Sequence, residues 1–178
     1  RRQRQMCIRD RSFSYKNPLL PTELRVNDLL GRMTLEEKIA QIRHLHSWDV
    51  FDGQILNQEK LDKMCGGIGY GFFEGFPLTA ASCRKTFREI QTYMVEKTRL
   101  GVPGFPVAES LHGVVHEGTT IYPQNIAMGS TFNPELAYEK TKHIAGELNT
   151  MGVKQVLAPC IDVVRDLRCL LYTSDAAD

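Results

Sequence analysis

The sequence lacks the features by which several large classes of protein are recognised. No apolar run approaches the stretch of about 20 residues that a transmembrane helix needs, which argues against a span across a bilayer. The net charge is only +1, from 22 Lys+Arg against 21 Asp+Glu, so we expect neither nucleic acid nor an anionic membrane as a partner. The five cysteines contain no C-x-x-C pair, which argues against a zinc or redox motif and favours free, mostly buried thiols. What remains is an ordinary globular composition, 42% hydrophobic and 24% charged, long enough for one domain with its own core.

The two ends of the chain differ in character from the middle. Residues 1–11 read R-R-Q-R-Q-M-C-I-R-D-R and have no hydrophobic period, and residues 169–178 read C-L-L-Y-T-S-D-A-A-D. We predict that both segments are non-native, adaptor-like sequence and that the native domain spans residues 12–168. The alternative for the first segment is a basic arm that binds nucleic acid.

The first part of the domain carries two helical patterns. Glu23–Met33 is a predicted helix, and a second helix begins at Thr34, where Glu37 lies three residues on and completes a capping box. The predicted buried stripe of the second helix consists of four aliphatic residues: Leu35, Ile39, Ile42 and Leu45. His44 and His46 then fall at the end of this helix, and a loop with a short helix follows from Trp48 to Met64.

Three apolar segments alternate with long helical patterns in the rest of the domain. The predicted strands are Gly66–Phe73, Phe105–Ala108 and Val153–Val164, with a further short strand-like piece at Ile126–Ser130. The glycines at 67, 69 and 71 do not form G-x-G-x-x-G, so they indicate close packing or room for a ligand, not a phosphate loop. Between the strands, Thr79–Leu100 and Asn133–Met151 are predicted helices, the second with Asn133 as N-cap and Pro134 at its first position. This alternation predicts an α/β protein with a parallel sheet.

Polar residues stand where two of these strands end. The candidates are Glu109, His112, His116 and Glu117 after the middle strand, and Asp162, Arg165, Asp166 and Arg168 after the last. In α/β proteins, ligand sites form at the carboxyl ends of the strands. The pair His112 and His116 leaves open a metal-dependent barrel hydrolase as one alternative. Because the intervening and following glycines disfavour a helix and no third ligand is evident, we predict no metal site.

Three blocks in this order resemble a known family. They read R-L-G-V-P-G-F-P-V-A-E-S-L-H-G, Y-P-Q-N-I-A-M-G-S-T-F-N-P-E-L and A-P-C-I-D-V-V-R-D-L-R, and together they resemble the amino-terminal domain of glycoside hydrolase family 3, of the β-glucosidase and β-xylosidase type. The resemblance covers Asn17 to Arg168. It implies the N-terminal portion of a (β/α)8 TIM-type barrel, incomplete, with about three βα units. It also implies an exo-acting, retaining hydrolase of terminal β-linked glucose or xylose, with an oligosaccharide or β-glycoside as substrate and no cofactor.

The resemblance also assigns substrate-binding residues. Glu109 stands where the family binds hydroxyls of the terminal sugar, and Arg168 matches an arginine that contacts the same sugar. We add His112, which we expect to hydrogen-bond the backbone or to line the pocket. Leu167 replaces the family's usual proline, and the Trp-Gly-Arg continuation after Arg168 is absent, which leaves the geometry of Arg168 open. Glu109 as the nucleophile, argued from spacing alone, is the weaker alternative.

The family's nucleophile and its acid/base match no position of this sequence and are expected beyond it. We therefore assign no catalytic residue and expect the chain alone to be inactive. Its expected partners are the remainder of its own barrel and a downstream domain. The residues do not fix the compartment, and the resemblance implies a periplasmic or extracellular parent. The alternative from another class is a non-catalytic α/β fragment that binds sugar or serves as a scaffold.

Overall fold

The structure of the protein, a computed structural model, describes residues 13–75 and 79–159. The described residues fall into two compact units, the first ending at Ala40 and the second beginning at Gln41. No helix in the described ranges is both long and apolar enough to cross a membrane. The first unit contains a 3-10 turn at Ser14–Lys16 and two helices, α1 (Thr22–Arg32) and α2 (Leu35–Ala40).

Asp28 fastens the turn to α1 inside the first unit. Its carboxylate accepts a hydrogen bond from the backbone N–H of Tyr15 at 3.1 Å and another from Nε of Arg32 at 3.0 Å. The hydrogen bond from Arg32 lowers the pKa of Asp28. The Arg32 guanidinium also lies 4.8 Å from the centre of the Phe13 ring.

The start of α2 confirms the predicted capping box. The backbone N–H of Thr34 donates to Oε2 of Glu37 at 2.9 Å, and the backbone N–H of Glu37 donates to Oγ1 of Thr34 at 3.2 Å. The predicted buried stripe is wrong, because the helix ends at Ala40, and Leu35, Ile39 and Ile42 are exposed.

The second unit is built on a parallel sheet. Its strands are β1 (His44–His46), β4 (Phe72–Glu74), β5 (Phe105–Glu109) and β6 (Gln155–Leu157), and a separate antiparallel hairpin joins β2 (Phe51–Asp52) and β3 (Ile55–Leu56). The four sheet strands are parallel and lie side by side in chain order, β1-β4-β5-β6. A sheet that grows in one direction, without the reversal of a doubly wound fold, has the winding of a (β/α)8 barrel. The predicted barrel portion with about three βα units is therefore confirmed.

Within residues 41–75 and 79–159, five helices connect these strands: α3 (Ser47–Val50), α4 (Gln58–Cys65), α5 (Ala80–Lys97), α6 (Asn125–Gly129) and α7 (Pro134–Met151). The N-cap of α7 is Asn133, whose Oδ1 accepts from the backbone N–H of Leu136 at 3.1 Å, and Gly152 ends the helix with φ 98°. These features confirm the predicted start and end of α7. At α5 the side chain of Thr79 accepts from the backbone N–H of Ser82, which caps that helix in the same way.

The first strand lies earlier than the sequence predicts. His44–His46 pairs with Phe72–Glu74, so the two histidines are on β1 and not at a helix end. Three residues are too few to display a period of two, and Leu45 also continues the spacing of the preceding helix. Leu45 is fully buried as a strand residue instead.

Two further local predictions need correction. The Gly66–Phe73 segment is not a continuous strand, because Gly66 and Gly67 form a turn with positive φ and β4 begins only at Phe72. The Ile126–Ser130 segment is not extended, because the backbone N–H of Ser130 donates to the carbonyl of Ile126 at 3.1 Å, in the helical pattern of α6. A short apolar run has no period by which a helix and a strand can be told apart.

The core of the second unit lies between the sheet and its helices. Leu45 and Phe73 are paired in the sheet register and have no exposed surface. They belong to a cluster that includes Phe87 and Ile90 of α5 and Ile144 and Leu148 of α7. The rings of Phe73 and Phe87 meet edge to face, with centroids 5.6 Å apart.

Two of the five cysteines lie in this core. Cys65 and Cys83 are buried free thiols, and burial raises the pKa of Cys65 to about 12 and that of Cys83 to about 11. For these two residues the prediction of buried free thiols is confirmed. Cys7, Cys160 and Cys169 lie outside the described residues.

Candidate functional site

A cavity of about 380 Å³ opens where β1, β4 and β5 end. His46 is the last residue of β1, Glu74 the last of β4 and Glu109 the last of β5, and all three line the cavity. Its volume lies within the range of about 300–1,000 Å³ that is typical of ligand pockets. The carboxyl edge of a parallel sheet is also where barrel proteins hold their ligands.

Glu109 reaches this cavity because of the alternation of side chains along β5. Phe105, Val107 and Glu109 share one face of the strand, and Pro106 and Ala108 take the other. Glu109 is paired in register with Leu157 of β6, and it is exposed. An exposed carboxylate on a cavity wall is suited to accept hydrogen bonds from hydroxyl groups.

His112 fastens the loop that follows β5. Its Nδ1 lies 3.0 Å from the carbonyl oxygen of Tyr122, and the backbone N–H of Tyr122 donates to the carbonyl of His112 at 2.8 Å. The expectation that His112 hydrogen-bonds the backbone is confirmed. His112 is not one of the residues that line the cavity, so the structure does not place it beside Glu109 on the cavity wall. Its proposed role toward a substrate stays a prediction.

A threonine hydroxyl and a glycine determine the shape of the loop that follows β5. Oγ1 of Thr119 donates to the carbonyl of Val114 at 2.6 Å and lies 2.7 Å from that of His116. Gly113 has φ 117°, and a Cβ atom there would lie 2.4 Å from the carbonyl oxygen of Thr120. Only glycine therefore fits at this position, and the loop after Glu109 has a defined shape.

The metal alternative rested on His112 and His116. The segment between them is not helical, and within residues 13–75 and 79–159 there is no group of three or more His, Cys, Asp or Glu residues that could hold a metal ion. His116 lines the cavity and His112 contacts Tyr122. The described part of the chain therefore provides no ligand set for a metal-dependent hydrolase.

The polar candidates after the last predicted strand are not among the residues that form the described wall of this cavity. Asp162, Arg165, Asp166 and Arg168 lie outside the described residues. The substrate-binding role of Arg168 accordingly stays a prediction from the sequence. The described part of the candidate site is thus the wall formed by the ends of β1, β4 and β5.

Sequence reasoning missed a group of polar residues on β1 and β4, of which His46 and Glu74 line the cavity. The register pairs His44 with Phe72 and His46 with Glu74, which sets both histidines and the glutamate on one face of the sheet. Oε1 of Glu74 lies 3.0 Å from Nδ1 of His44 and 3.3 Å from Nδ1 of His46. These distances are in the ion-pair range, although neither ring nitrogen has a partner in hydrogen-bond geometry among the described atoms. The signal in the sequence was the alternation H-L-H, but its meaning depends on the pairing with β4.

Trp48 is also on the cavity and was not predicted as a site residue. Its indole ring lies parallel to the His46 ring, with centroids 4.3 Å apart and an interplanar angle of 8°. The side chain is 69% exposed. Trp48 sits on α3, which Val50 anchors in the core with no exposed surface.

A larger opening of about 1010 Å³ lies elsewhere, between the start of α5, helix α7 and the loop around Gly118. It contains glutamates, among them Glu117 and Glu147, but none of the strand-end residues described above. Glu147 is engaged by Thr120, whose hydroxyl donates to Oε1 at 2.7 Å. The smaller cavity is the better candidate because it joins strand-end carboxylates with an aromatic ring.

Comparison with known proteins identifies the family. Residues 34–174 match the model of the glycosyl hydrolase family 3 N terminal domain. A putative beta-xylosidase from Formosa agariphila is 31% identical over 162 residues, which cover 88% of this chain and 21% of that protein. A periplasmic beta-glucosidase from Salmonella typhimurium is 27% identical over 154 residues, covering 85% of this chain and 18% of that protein.

A solved structure agrees with the sequence matches. The β-glucosidase EmGH1 from Erythrobacter marinus superposes with a TM-score of 0.72 at 26% identity, over 87% of this chain and 20% of that one. The chain thus spans about a fifth of the length of the relatives that it matches. It belongs to glycosyl hydrolase family 3, and the residues matched are those of the family's N-terminal domain.

Proposed function

We propose that this chain forms the first part of the barrel of an exo-acting, retaining β-glycosidase that releases terminal β-linked glucose or xylose. The proposal rests on the position of Glu109, whose exposed carboxylate lies at the end of β5 on the wall of the strand-end cavity. The names of the relatives, a putative beta-xylosidase and two β-glucosidases, support this substrate class.

In this proposal the residues of the chain bind the substrate and do not carry out the bond-breaking step. Glu109 accepts hydrogen bonds from hydroxyls of the terminal sugar, and Arg168 contacts the same sugar. His112 fixes the loop behind Glu109 through its contact with Tyr122. Retention requires a nucleophilic carboxylate and a separate acid/base, and both come from parts of the enzyme beyond this sequence.

The proposal is tested in the extended enzyme. The source DNA is sequenced across the Arg168–Cys169 junction and onward, the extended reading frame is expressed, and hydrolysis of p-nitrophenyl β-D-glucoside and β-D-xyloside is measured. Glu109→Gln is expected to lower kcat/KM about 10- to 100-fold, because a hydrogen bond to a charged group contributes about 1.5–3 kcal/mol. Glu59→Gln, an exposed glutamate of α4 away from the cavity, is the matched control and leaves kcat/KM unchanged. An extended enzyme that hydrolyses neither substrate contradicts the proposal.

The 178-residue chain alone is expected to release no p-nitrophenol above background. Sugar binding by the chain without hydrolysis fits this expectation, and it is also what the non-catalytic alternative predicts for the isolated chain. Hydrolysis by the chain alone that Glu109→Ala abolishes would instead make Glu109 a catalytic residue.

A further inference from the structure

We infer that Trp48 is the apolar wall of the sugar subsite, against which the ring of an all-equatorial β-pyranoside stacks. The inference rests on the proposed function and adds a binding residue to the subsite that Glu109 marks. Its basis is the juxtaposition, on one cavity, of an exposed indole supported by His46 and the strand-end carboxylate Glu109.

The indole is held on one side and open on the other. The His46 ring covers one face at a centroid distance of 4.3 Å, and His46 is itself fixed in β1 by pairing with Glu74. The remaining surface leaves 69% of the tryptophan exposed. The exposed surface of the indole is therefore an apolar surface on the cavity, which a ligand with an apolar face can cover.

The ligand that fits this wall has one apolar face and several hydroxyls at its edge. In the β-pyranosides of glucose and xylose all ring substituents are equatorial, so the two ring faces carry only axial C–H groups. Such a face packs on an aromatic plane, and the equatorial hydroxyls point outward to polar partners. Trp48 provides the plane, and Glu109 provides an acceptor on the same cavity.

The sequence supplies a direct probe, because Trp48 is the one tryptophan of the 178 residues. The chain is titrated with methyl β-D-xyloside and with methyl β-D-glucoside, while tryptophan emission is recorded and binding is measured in parallel by calorimetry. Sorbitol, which has similar hydroxyls but no ring face, is the control ligand. We expect a saturable shift of the emission with at least one glycoside and none with sorbitol.

Variants separate the stacking role from a structural one. Trp48→Ala is expected to raise the Kd of the glycoside about 10-fold, and Trp48→Phe, which keeps a ring, restores most of the affinity. Ile55→Ala, at another exposed apolar residue of the same unit that does not line the cavity, leaves the Kd unchanged. Calorimetric binding with an unchanged emission and an unchanged Kd in Trp48→Ala overturns the inference and leaves the proposed function intact. Absence of saturable binding of both glycosides also overturns it, whereas the proposed function is judged by the hydrolysis assay.

Discussion

Glu109 and Ser110 are neighbours in the chain with opposite surroundings. Glu109 is exposed at the end of β5, whereas Ser110 is only 4% exposed, and its hydroxyl has no hydrogen-bond partner among the described residues. Both line the cavity at the strand ends. At the scale of single residues, the sequence predicts Glu109 as a site residue, because it directly follows an apolar run. The sequence does not predict Glu74 and His46 as neighbours on the same cavity, because their proximity depends on the register between two separate strands.

We expect Ser110→Ala to stabilise the protein. A buried hydroxyl without a partner costs about 1–3 kcal/mol, so its removal raises the free energy of unfolding by about 1 kcal/mol. Thr119→Val is the contrasting variant, because the Thr119 hydroxyl bonds to the carbonyl of Val114. It is expected to lose about 1 kcal/mol in the same urea titration. A destabilised Ser110→Ala variant contradicts the assignment of an unpaired hydroxyl.

At the scale of elements, the glycine-rich segment before β4 packs closely against the chain that leads into β1. A Cβ atom at Gly71 would lie 1.8 Å from the backbone carbonyl oxygen of Gln41, and the carbonyl of Gly71 itself accepts from the N–H of Phe105 at 2.8 Å. The sequence correctly predicts close packing here, although the strand begins only after these glycines, at Phe72. The long, capped helices α5 and α7 are predictable because their periodicity extends over several turns, whereas β1 and α6 are too short to have one.

Gly71→Ala is therefore expected to destabilise the protein by about 3 kcal/mol or more, because two backbone segments must separate. Gly146→Ala is the matched control, since Gly146 lies within α7 and a Cβ atom there would meet nothing within 4 Å beyond the backbone of its own helix. It is expected to gain about 0.5–1 kcal/mol, as alanine is the better helix former. Thermal or urea unfolding of both variants measures the difference, and equal effects at the two positions would contradict the close approach at Gly71.

Helix α7 also fixes the loop that precedes it, through Lys140. This side chain is 7% exposed, and its Nζ donates to the carbonyl of Pro123 at 3.0 Å and to Oδ1 of Asn125 at 2.9 Å. Burial lowers the pKa of Lys140 below its usual value of 10.5. The unfolded chain therefore retains this proton at pH values where the folded chain has lost it.

The sign of the resulting pH dependence follows from proton linkage. Between the lowered folded pKa and the unfolded value of 10.5, the unfolded state binds more protons, so stability rises with pH across this window. The stability of the wild type relative to Lys140→Met is expected to rise with pH as the pH approaches 10.5 from below, and urea titrations across the alkaline range measure it. The other titrating groups are the same in the two proteins, so their contributions to the pH dependence cancel in this difference. A difference that falls or stays constant would be inconsistent with a desolvated ammonium group at this position.

At the scale of the whole molecule, the two faces of the parallel sheet serve different purposes. Leu45 and Phe73 lie on the face that packs against α5 and α7, and both are fully buried. Phe72 and Phe105 lie on the opposite face, which they share with Glu74 and Glu109 at the strand ends, and Phe105 is 53% exposed. The sequence predicts the α/β class and the barrel portion, but it does not predict which aromatic residue faces the helices, because alternation defines two faces without saying which is covered.

This division of the sheet predicts unequal effects of two similar substitutions. Phe73→Ala removes a ring from a closely packed core and is expected to cost about 3–5 kcal/mol in the free energy of unfolding. Phe105→Ala removes a half-exposed ring whose centroid lies 6.0 Å from that of Phe72, and it is expected to cost about 1 kcal/mol. Urea unfolding followed by circular dichroism measures both. If Phe105→Ala were the more damaging variant, the face that carries Glu74 and Glu109, and not the face of Leu45 and Phe73, would be the one that holds the fold together.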